Sequence, residues 1–240
     1  MELYIDTANA QDIKEALSWG CISGATTNPK IMSNEKGGYS FKEKILEIIE
    51  LVKNPVSVEV TEEDLHGMVE EAKIYASWNE NIVIKIPMGI EGLKAVRQLE
   101  KNEGVKTNVT AIMSSSQAIL AALSGTSYAS IFYGRISDMG YDPVEVIRDT
   151  SALYKEQNVR TRLIVGSIRT ILEVNKAFLA GADIVTVPFP ILKKMTLNPK
   201  TEETIKEFNS IWREMKEKGL IKLEEKISPR KLTITRALKV

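Results

Sequence analysis

The sequence has very few of the residues that bind metals or form disulfides. Its 240 residues include one cysteine, Cys21, and one histidine, His66. A single thiol cannot close an internal disulfide, and one Cys with one His leaves too few ligands for a conventional zinc site. We therefore expect no metal and no other cofactor. We also expect Cys21 to pack in the interior, and His66 to lie on an amphipathic helix without a catalytic role.

The sequence also lacks a long apolar run and an excess of charge of one sign. The sequence contains no run of about 18 apolar residues, the length that a transmembrane helix needs. The N-terminus, MELYIDTANA, lacks the basic and apolar regions of a signal peptide. Lys plus Arg and Asp plus Glu number 32 each. Such a balance gives no general attraction to nucleic acid or anionic membranes. We expect a cytoplasmic protein that binds neither.

Short apolar, β-branched runs alternate with longer helical patterns along the chain. The predicted strands cover residues 2–7, 22–28, 56–60, 82–87, 105–112, 128–136, 162–168 and 184–188. The helical patterns between them include residues 42–53, 64–78, 90–101 and 143–156. This alternation predicts βαβ units and a parallel sheet. An open doubly wound sheet is the alternative, but its usual G-x-G-x-x-G loop is missing after the first strand. We predict an α/β fold, a closed (β/α)8 barrel.

The end of the chain is predicted to add a helix and a tail to this barrel. Residues 201–218 form an amphipathic pattern, which places an additional C-terminal helix in a single catalytic domain over 1–220. The remaining tail, 221–240, has five basic and no acidic residues from Lys226 onward. We interpret it as a surface tail or a strap onto a neighbouring subunit. A nucleic-acid-binding arm is the alternative.

Polar side chains lie opposite the apolar face in several predicted strands. Lys85 lies opposite the isoleucines of IVIKIP, Glu59 opposite the valines of VSVEV, and Asp6 near the end of ELYIDT. The helix-facing side of a barrel is apolar, so these groups should point inward near the C-terminal ends of their strands, where barrel enzymes build active sites. The same pattern holds for further polar positions: Thr26, Asn28, Asn108, Thr110 and Ser167.

This set of residues favours a particular chemistry. A lysine inside an apolar strand is a candidate for Schiff-base formation, because burial favours the neutral amine that attacks a carbonyl. Asp6 and Glu59 are candidates for the proton transfers that such chemistry needs. Arg135 and Arg169 follow the sixth and seventh strands, where barrels often bind phosphate, and guanidinium groups suit phosphate well. A simple surface position for both arginines is the alternative.

A set of short motifs follows in order along residues 1–215: IDTAN, TTNP, IVIKIP followed by EGLKAV, KTNVTAI, QAILAA, YGRISDMG, VGSIR and GADIVTVP. In this order they resemble a known family, the small transaldolases and the related fructose-6-phosphate aldolases. The resemblance implies that Lys85 forms the Schiff base and Asp6 exchanges the proton of the C4 hydroxyl. It also implies that Glu59 acts through a water held with Thr110. The remaining implied roles are substrate binding: Asn28, Asn108, Ser130, Phe132, Arg135, Ser167 and Arg169.

Two positions distinguish the sister activities of this family. Similar aldolases have Gln and Tyr where this chain has Glu59 and Phe132, and similar transaldolases have Glu and Phe. The resemblance therefore implies a transaldolase of the non-oxidative pentose phosphate pathway, which transfers a dihydroxyacetone unit between sugar phosphates. It also implies a homo-oligomer, a pentamer or a decamer. The alternatives are a fructose-6-phosphate aldolase, which releases free dihydroxyacetone, and a non-catalytic barrel that serves as a binding protein.

Overall fold

Eight parallel strands close into a barrel in which each strand pairs with its neighbours in the sequence and β8 pairs with β1. The structure is a computed structural model that describes residues 1–35 and 37–221. The strands are β1 (Glu2–Asp6), β2 (Ala25–Thr26), β3 (Val56–Glu59), β4 (Ile82–Pro87), β5 (Thr107–Ile112), β6 (Tyr128–Phe132), β7 (Arg162–Gly166) and β8 (Ile184–Val187). The predicted (β/α)8 barrel is confirmed.

Helices connect the strands, and polar N-caps begin many of them. They are α1 (Ala10–Ser18), α2 (Pro29–Met32), α3 (Phe41–Val52), α4 (Leu65–Ala76), α5 (Ile90–Gln98), α6 (Ser115–Ser124), α7 (Tyr133–Asp138), α8 (Pro143–Glu156), α9 (Ile171–Leu179), α10 (Phe189–Met195) and α11 (Pro199–Glu217). A π-helical turn, Leu99–Glu103, continues α5. The side chains of Asn9, Ser40 and Asp64 accept from backbone amides of α1, α3 and α4. Such caps are worth about 1 kcal/mol each.

The inside of the barrel has an apolar layer below a polar one. Five buried side chains form the lower layer: Tyr4, Val83, Tyr128, Ile164 and Ile184. Two residues further along each of these strands come residues that line a cavity: Asp6, Lys85, Ser130, Gly166 and Thr186. Because strand side chains repeat with a period of two, both layers belong to the same inward face. The regular alternation of the strands thus places the polar groups at the C-terminal end of the barrel.

The structure corrects two expectations from the sequence. The sixth strand, predicted over residues 128–136, ends at Phe132, and α7 begins at once, so Arg135 lies on a helix. The backbone amide of Gly134 donates to the carbonyl of Ser167 at 3.1 Å, which turns the chain across the end of β7. Cys21 was expected to pack in the interior. That was wrong: it is exposed, because it lies in the connection between α1 and β2.

The chain divides into two compact units after Met195. The first contains the barrel. The second begins at Thr196 and contains α11, which confirms the predicted C-terminal helix and has no buried residue. The predicted basic tail falls almost wholly on residues 222–240, outside the described part of the chain. His66 is exposed on α4. None of the described helices is both long and apolar enough to cross a membrane.

Candidate active site

A cavity of about 520 Å3 opens at the C-terminal ends of the barrel strands. Nine of the eleven site residues expected from the sequence line it: Asp6, Asn28, Glu59, Lys85, Ser130, Phe132, Arg135, Ser167 and Arg169. The other two, Asn108 and Thr110, are buried in the neighbouring barrel wall on β5. The cavity therefore collects most of the expected side chains from six different strands and the segments that follow them.

Lys85 forms a buried ion pair with Glu59 on the floor of the cavity. The register of β3 and β4 places the two residues side by side, and Lys85 Nζ lies 2.9 Å from Glu59 Oε2. The same nitrogen donates to the carbonyl oxygen of Thr27 at 3.0 Å. The side chain of Lys85 is only 5% exposed. Because a buried charge needs partners, the carboxylate and the carbonyl hold this amine in one place at the cavity floor.

Asp6 is the second carboxyl group on the floor. It accepts a hydrogen bond of 2.6 Å from the hydroxyl of Thr26, its register partner on β2. Burial raises the pKa of Asp6 above its ordinary value, and the charge of Glu59 raises it too, while the Thr26 hydrogen bond and the charge of Lys85 lower it. Burial is the largest of these effects. A carboxyl group whose pKa is raised is suited to taking up and returning a proton.

The wall beside Lys85 is a chain of polar side chains. Ser130 donates to Asn108 Oδ1 at 2.8 Å, and the Asn108 amide donates to Ser57 at 3.2 Å. Asn108 is also the register partner of Lys85. These bonds fix the Asn108 amide within the wall and leave Ser130 at the cavity surface, where it can orient a polar substrate.

Strand β5 departs from regular alternation beside this wall. Its register with β6 shifts between Val109 and Ile112, and Ala111 has a φ of 58°. As a result Ala111 lines the cavity, while the buried hydroxyl of Thr110 has no hydrogen-bond partner among the described residues. Buried polar atoms are nearly always bonded, to water where protein offers nothing. This hydroxyl is therefore free to bind a water or a substrate oxygen.

The rim of the cavity is built around two arginines. Arg169 makes two hydrogen bonds of 2.6 Å to the carboxylate of Asp138, one from each terminal nitrogen. Its guanidinium lies against Gly134, where an added Cβ would come within 2.7 Å of Nε. The hydrogen bond from Arg169 holds the pKa of Asp138 below its ordinary value. Arg135 lies on the same short helix as Asp138, so α7 orients both arginines.

Sequence reasoning missed two residues of this site, Asp138 and Thr186, and did not identify the partner of a third, Thr26. Asp138 was missed because the pattern predicts a strand as far as residue 136, which conceals α7. Thr186 lines the cavity from β8, but its pattern, IVTV, has a single polar residue that drew no attention. Thr26 was noted only as polar, whereas the structure makes it the partner of Asp6.

The arrangement supports a definite chemistry. An amine beside one carboxylate can condense with a ketone, and a second carboxyl group can exchange a substrate proton. Two arginines at the rim can bind a phosphate. Among the described residues, no group of three or more His, Cys, Asp and Glu side chains is placed to hold a metal ion.

Comparisons with known proteins show which family this chain is similar to. The model of the family described as transaldolase/fructose-6-phosphate aldolase matches residues 3–230. A probable transaldolase of Carboxydothermus hydrogenoformans is 44% identical over 216 residues, which cover 90% of this chain and all of the relative. One from Caldicellulosiruptor saccharolyticus is 46% identical, covering 91% of this chain and all of the relative. One from Thermoplasma volcanium is 41% identical, covering 91% and 98%.

Proposed function

This chain belongs to the transaldolase/fructose-6-phosphate aldolase family, and we propose that it acts as a transaldolase that uses Lys85 to carry a dihydroxyacetone unit. The donor is a ketose phosphate, sedoheptulose 7-phosphate or fructose 6-phosphate. The acceptor is an aldose phosphate, glyceraldehyde 3-phosphate or erythrose 4-phosphate. The single observation that supports this best is the buried amine of Lys85, 2.9 Å from Glu59 and in one cavity with Asp6.

The first step in this proposal forms the Schiff base. Lys85 gives a proton to Glu59, and the neutral amine attacks the C2 carbonyl of the ketose. The nitrogen then passes a proton to the C2 oxygen, which gives a carbinolamine. Glu59 returns a proton to the C2 oxygen, which leaves as water, and the iminium forms. The free hydroxyl of Thr110 is the group that would hold this water, with Glu59 as its proton partner.

The next steps break and remake the carbon–carbon bond. Asp6 takes the proton of the C4 hydroxyl, the C3–C4 bond breaks, and its electron pair moves into the iminium to give an enamine on Lys85. The aldose phosphate leaves, and an acceptor aldose takes its place. The enamine carbon attacks the acceptor aldehyde, and Asp6 returns its proton to the new C4 oxygen. Addition of one water to the iminium then releases the product ketose and restores the amine of Lys85.

The rest of the cavity binds the two ends of the substrate. Ser130 and Asn28 line the same cavity as Lys85, and Asn108 is the register partner of Lys85 on β5. Their polar groups suit the hydroxyls of the dihydroxyacetone portion. Arg135, Arg169 and Ser167 lie at the rim, and their donors suit the phosphate. This placement sets the phosphate at the rim and the carboxylates of Glu59 and Asp6 on the floor.

Transfer is favoured over simple cleavage by the residues near the amine. Phe132 lines the cavity and has no hydroxyl with which to position the water that would release the three-carbon unit. The enamine then persists until an acceptor aldehyde arrives. In a fructose-6-phosphate aldolase, water would release the three-carbon unit before an acceptor aldehyde arrives.

The test measures release of glyceraldehyde 3-phosphate from fructose 6-phosphate, with and without erythrose 4-phosphate. Release that depends on erythrose 4-phosphate supports a transaldolase. Equal release without it would make the protein an aldolase. Phe132→Tyr should raise the acceptor-free release while Phe132→Leu should not. If neither variant changes it, Phe132 does not decide the outcome.

We further propose that the protein works in the cytoplasm, in the non-oxidative pentose phosphate pathway, as a homo-oligomer of five or ten subunits. Support for assembly comes from α11, whose side chains Ile205, Phe208, Ile211 and Trp212 are exposed apolar groups. They recur at intervals of three and four residues, which places them along one face of the helix. Light scattering of the full chain would measure the subunit number, and a monomer at micromolar concentration would contradict this proposal.

A further inference from the structure

Three side chains form a continuous hydrogen-bonded row across the cavity floor. Thr26 Oγ1 lies 2.6 Å from Asp6 Oδ1 and 2.6 Å from Thr186 Oγ1. The three residues lie on β2, β1 and β8, which are consecutive around the barrel. Both threonines are almost fully buried. The row therefore joins Asp6 to a hydroxyl that has no place in the proposed reaction.

The direction of these hydrogen bonds follows from the number of protons. An ionised carboxylate can only accept, so the single proton of Thr26 must point to Asp6. Thr26 then has no proton left for Thr186, and Thr186 must donate to Thr26. The methyl group of Thr186 lies beside Gly166, where an added Cβ would come within 3.2 Å of it, and its hydroxyl lies beside Thr26.

We propose that Thr186 is a positioning residue for the acid/base step, which acts on Asp6 through Thr26. By donating to Thr26, Thr186 keeps the O–H of Thr26 directed at the carboxylate of Asp6. This hydrogen bond stabilises the ionised form of Asp6, which accepts the C4 proton. Hydrogen bonds in such a chain strengthen one another. This inference rests on the proposed function, since it assumes that Asp6 is the group that exchanges the substrate proton.

Other charges also act on Asp6. The charge of Lys85 on β4 lowers the pKa of Asp6, and the charge of Glu59 on β3 raises it. Three further cations line the same cavity: Lys30, Arg135 and Arg169. None of these charges changes when the hydroxyl of Thr186 is removed. A substitution that keeps the size of Thr186 therefore isolates the effect of its hydroxyl.

The experiment compares Thr186→Val, which keeps the shape but removes the hydroxyl, with Thr186→Ser, which keeps the hydroxyl. The pH dependence of kcat for dihydroxyacetone transfer is measured for each. In Thr186→Val, the acidic limb should move to higher pH by roughly half to one unit, because one neutral hydrogen bond no longer supports the carboxylate. Thr186→Ser should keep the limb of the wild-type protein.

A matched control removes another buried threonine hydroxyl far from the cavity. Thr150 is fully buried on α8 and donates to the carbonyl of Val146 at 2.8 Å. Thr150→Val should leave the acidic limb where it is. The proposal is wrong if the acidic limb of Thr186→Val lies at the same pH as that of the wild-type protein. It is also wrong if the acidic limb moves as far in Thr186→Ser as in Thr186→Val. Should Thr186→Val not fold, Thr186→Cys, a weaker donor, should give a smaller shift in the same direction, and no shift would overturn the proposal.

A second measurement separates this proposal from the proposed function. Difference infrared spectra, wild type minus Asp6→Asn, follow the carboxyl of Asp6 directly and need no turnover. In the Thr186→Val background the same difference should show Asp6 titrating at higher pH. An unchanged titration would refute the role of Thr186 even in an active enzyme. Failure of the wild-type protein to trap a sugar phosphate with borohydride would instead refute the proposed function and leave the titration result valid.

Discussion

The two ends of the cavity each contain an ion pair, but the pairs differ in their surroundings. On the floor, Lys85 and Glu59 are 2.9 Å apart, with side chains 5% and 19% exposed. At the rim, Arg169 and Asp138 are 2.6 Å apart, with side chains 49% and 45% exposed. The shorter pair is the more exposed one. Distance alone would rank the rim pair as the stronger, whereas burial suggests the opposite.

This contrast indicates which part of the site is rigid. A buried pair is costly to break, because one charge is left without a partner in a medium of low polarity. An exposed pair contributes little, because water replaces either partner. The floor belongs to adjacent strands whose register sets the contact, and the rim to a short helix and the segment after β7. We therefore expect a fixed floor, where chemistry occurs, and an adaptable rim, where phosphates bind and leave.

The largest expected effect comes from the floor. Lys85→Met should abolish borohydride trapping of fructose 6-phosphate and lower kcat/KM by on the order of a thousandfold or more, because the proposed covalent intermediate forms on the amine of Lys85. Mass spectrometry of the reduced adduct checks this directly. The control is Lys94→Met on α5, an exposed lysine paired with Glu91, which should trap normally. A trapped adduct in Lys85→Met would show that the reactive amine lies elsewhere.

A smaller effect is expected from Arg135, a rim cation that forms no ion pair within 4 Å among the described residues. Arg135→Met should raise KM for a sugar phosphate by about 10- to 100-fold, the value of a charge-assisted hydrogen bond, with a smaller change in kcat. Trapping of phosphate-free dihydroxyacetone should be unaffected. Equal loss with both substrates would mean that Arg135 supports the floor and not the phosphate.

The same contrast explains what the sequence could and could not predict. Lys85, Glu59 and Asp6 were found by counting alternate residues, and this worked because β1, β3 and β4 are regular. Counting failed on β5, where the positive φ of Ala111 displaces Thr110 from the cavity surface. It also failed after β6, where the chain turns into α7.

These failures have a common physical cause. The turn at Gly134 depends on the carbonyl of Ser167, and the orientation of Arg169 depends on Asp138, in each case a contact between residues that are distant in the sequence. Local patterns contain no information on such contacts. The periodic part of the barrel, which forms the floor, was therefore predictable, while most of the rim required the folded structure.

A third prediction concerns stability against pH on the floor. Because burial raises the pKa of Asp6, the native carboxyl binds a proton at higher pH than it does in the unfolded chain. This contribution to stability is fully present below the unfolded pKa of about 3.9 and is lost as pH rises through the native pKa. Asp6→Asn removes the buried charge and should unfold at higher urea concentration than the wild-type protein at pH 7, with the difference shrinking toward pH 4. A lower stability of the Asp6→Asn variant at pH 7 would contradict this.

The smallest effect is expected at the rim carboxylate. Asp138→Asn removes one partner of an exposed ion pair, so the temperature of unfolding should stay within error of the wild-type value at pH 7. The lowered pKa of Asp138 means that any contribution it makes to stability is present above its ordinary pKa and is lost as pH falls through the lower native value.

In the same Asp138→Asn variant, KM for a sugar phosphate should rise by only about two- to fivefold, because Arg169 keeps its charge and loses the carboxylate that orients it. Glu91→Gln, which breaks the exposed pair with Lys94, is the matched control and should change neither quantity. A loss of stability in Asp138→Asn as large as that of a buried pair would show that the rim is as rigid as the floor, and the contrast between the two ends would fail.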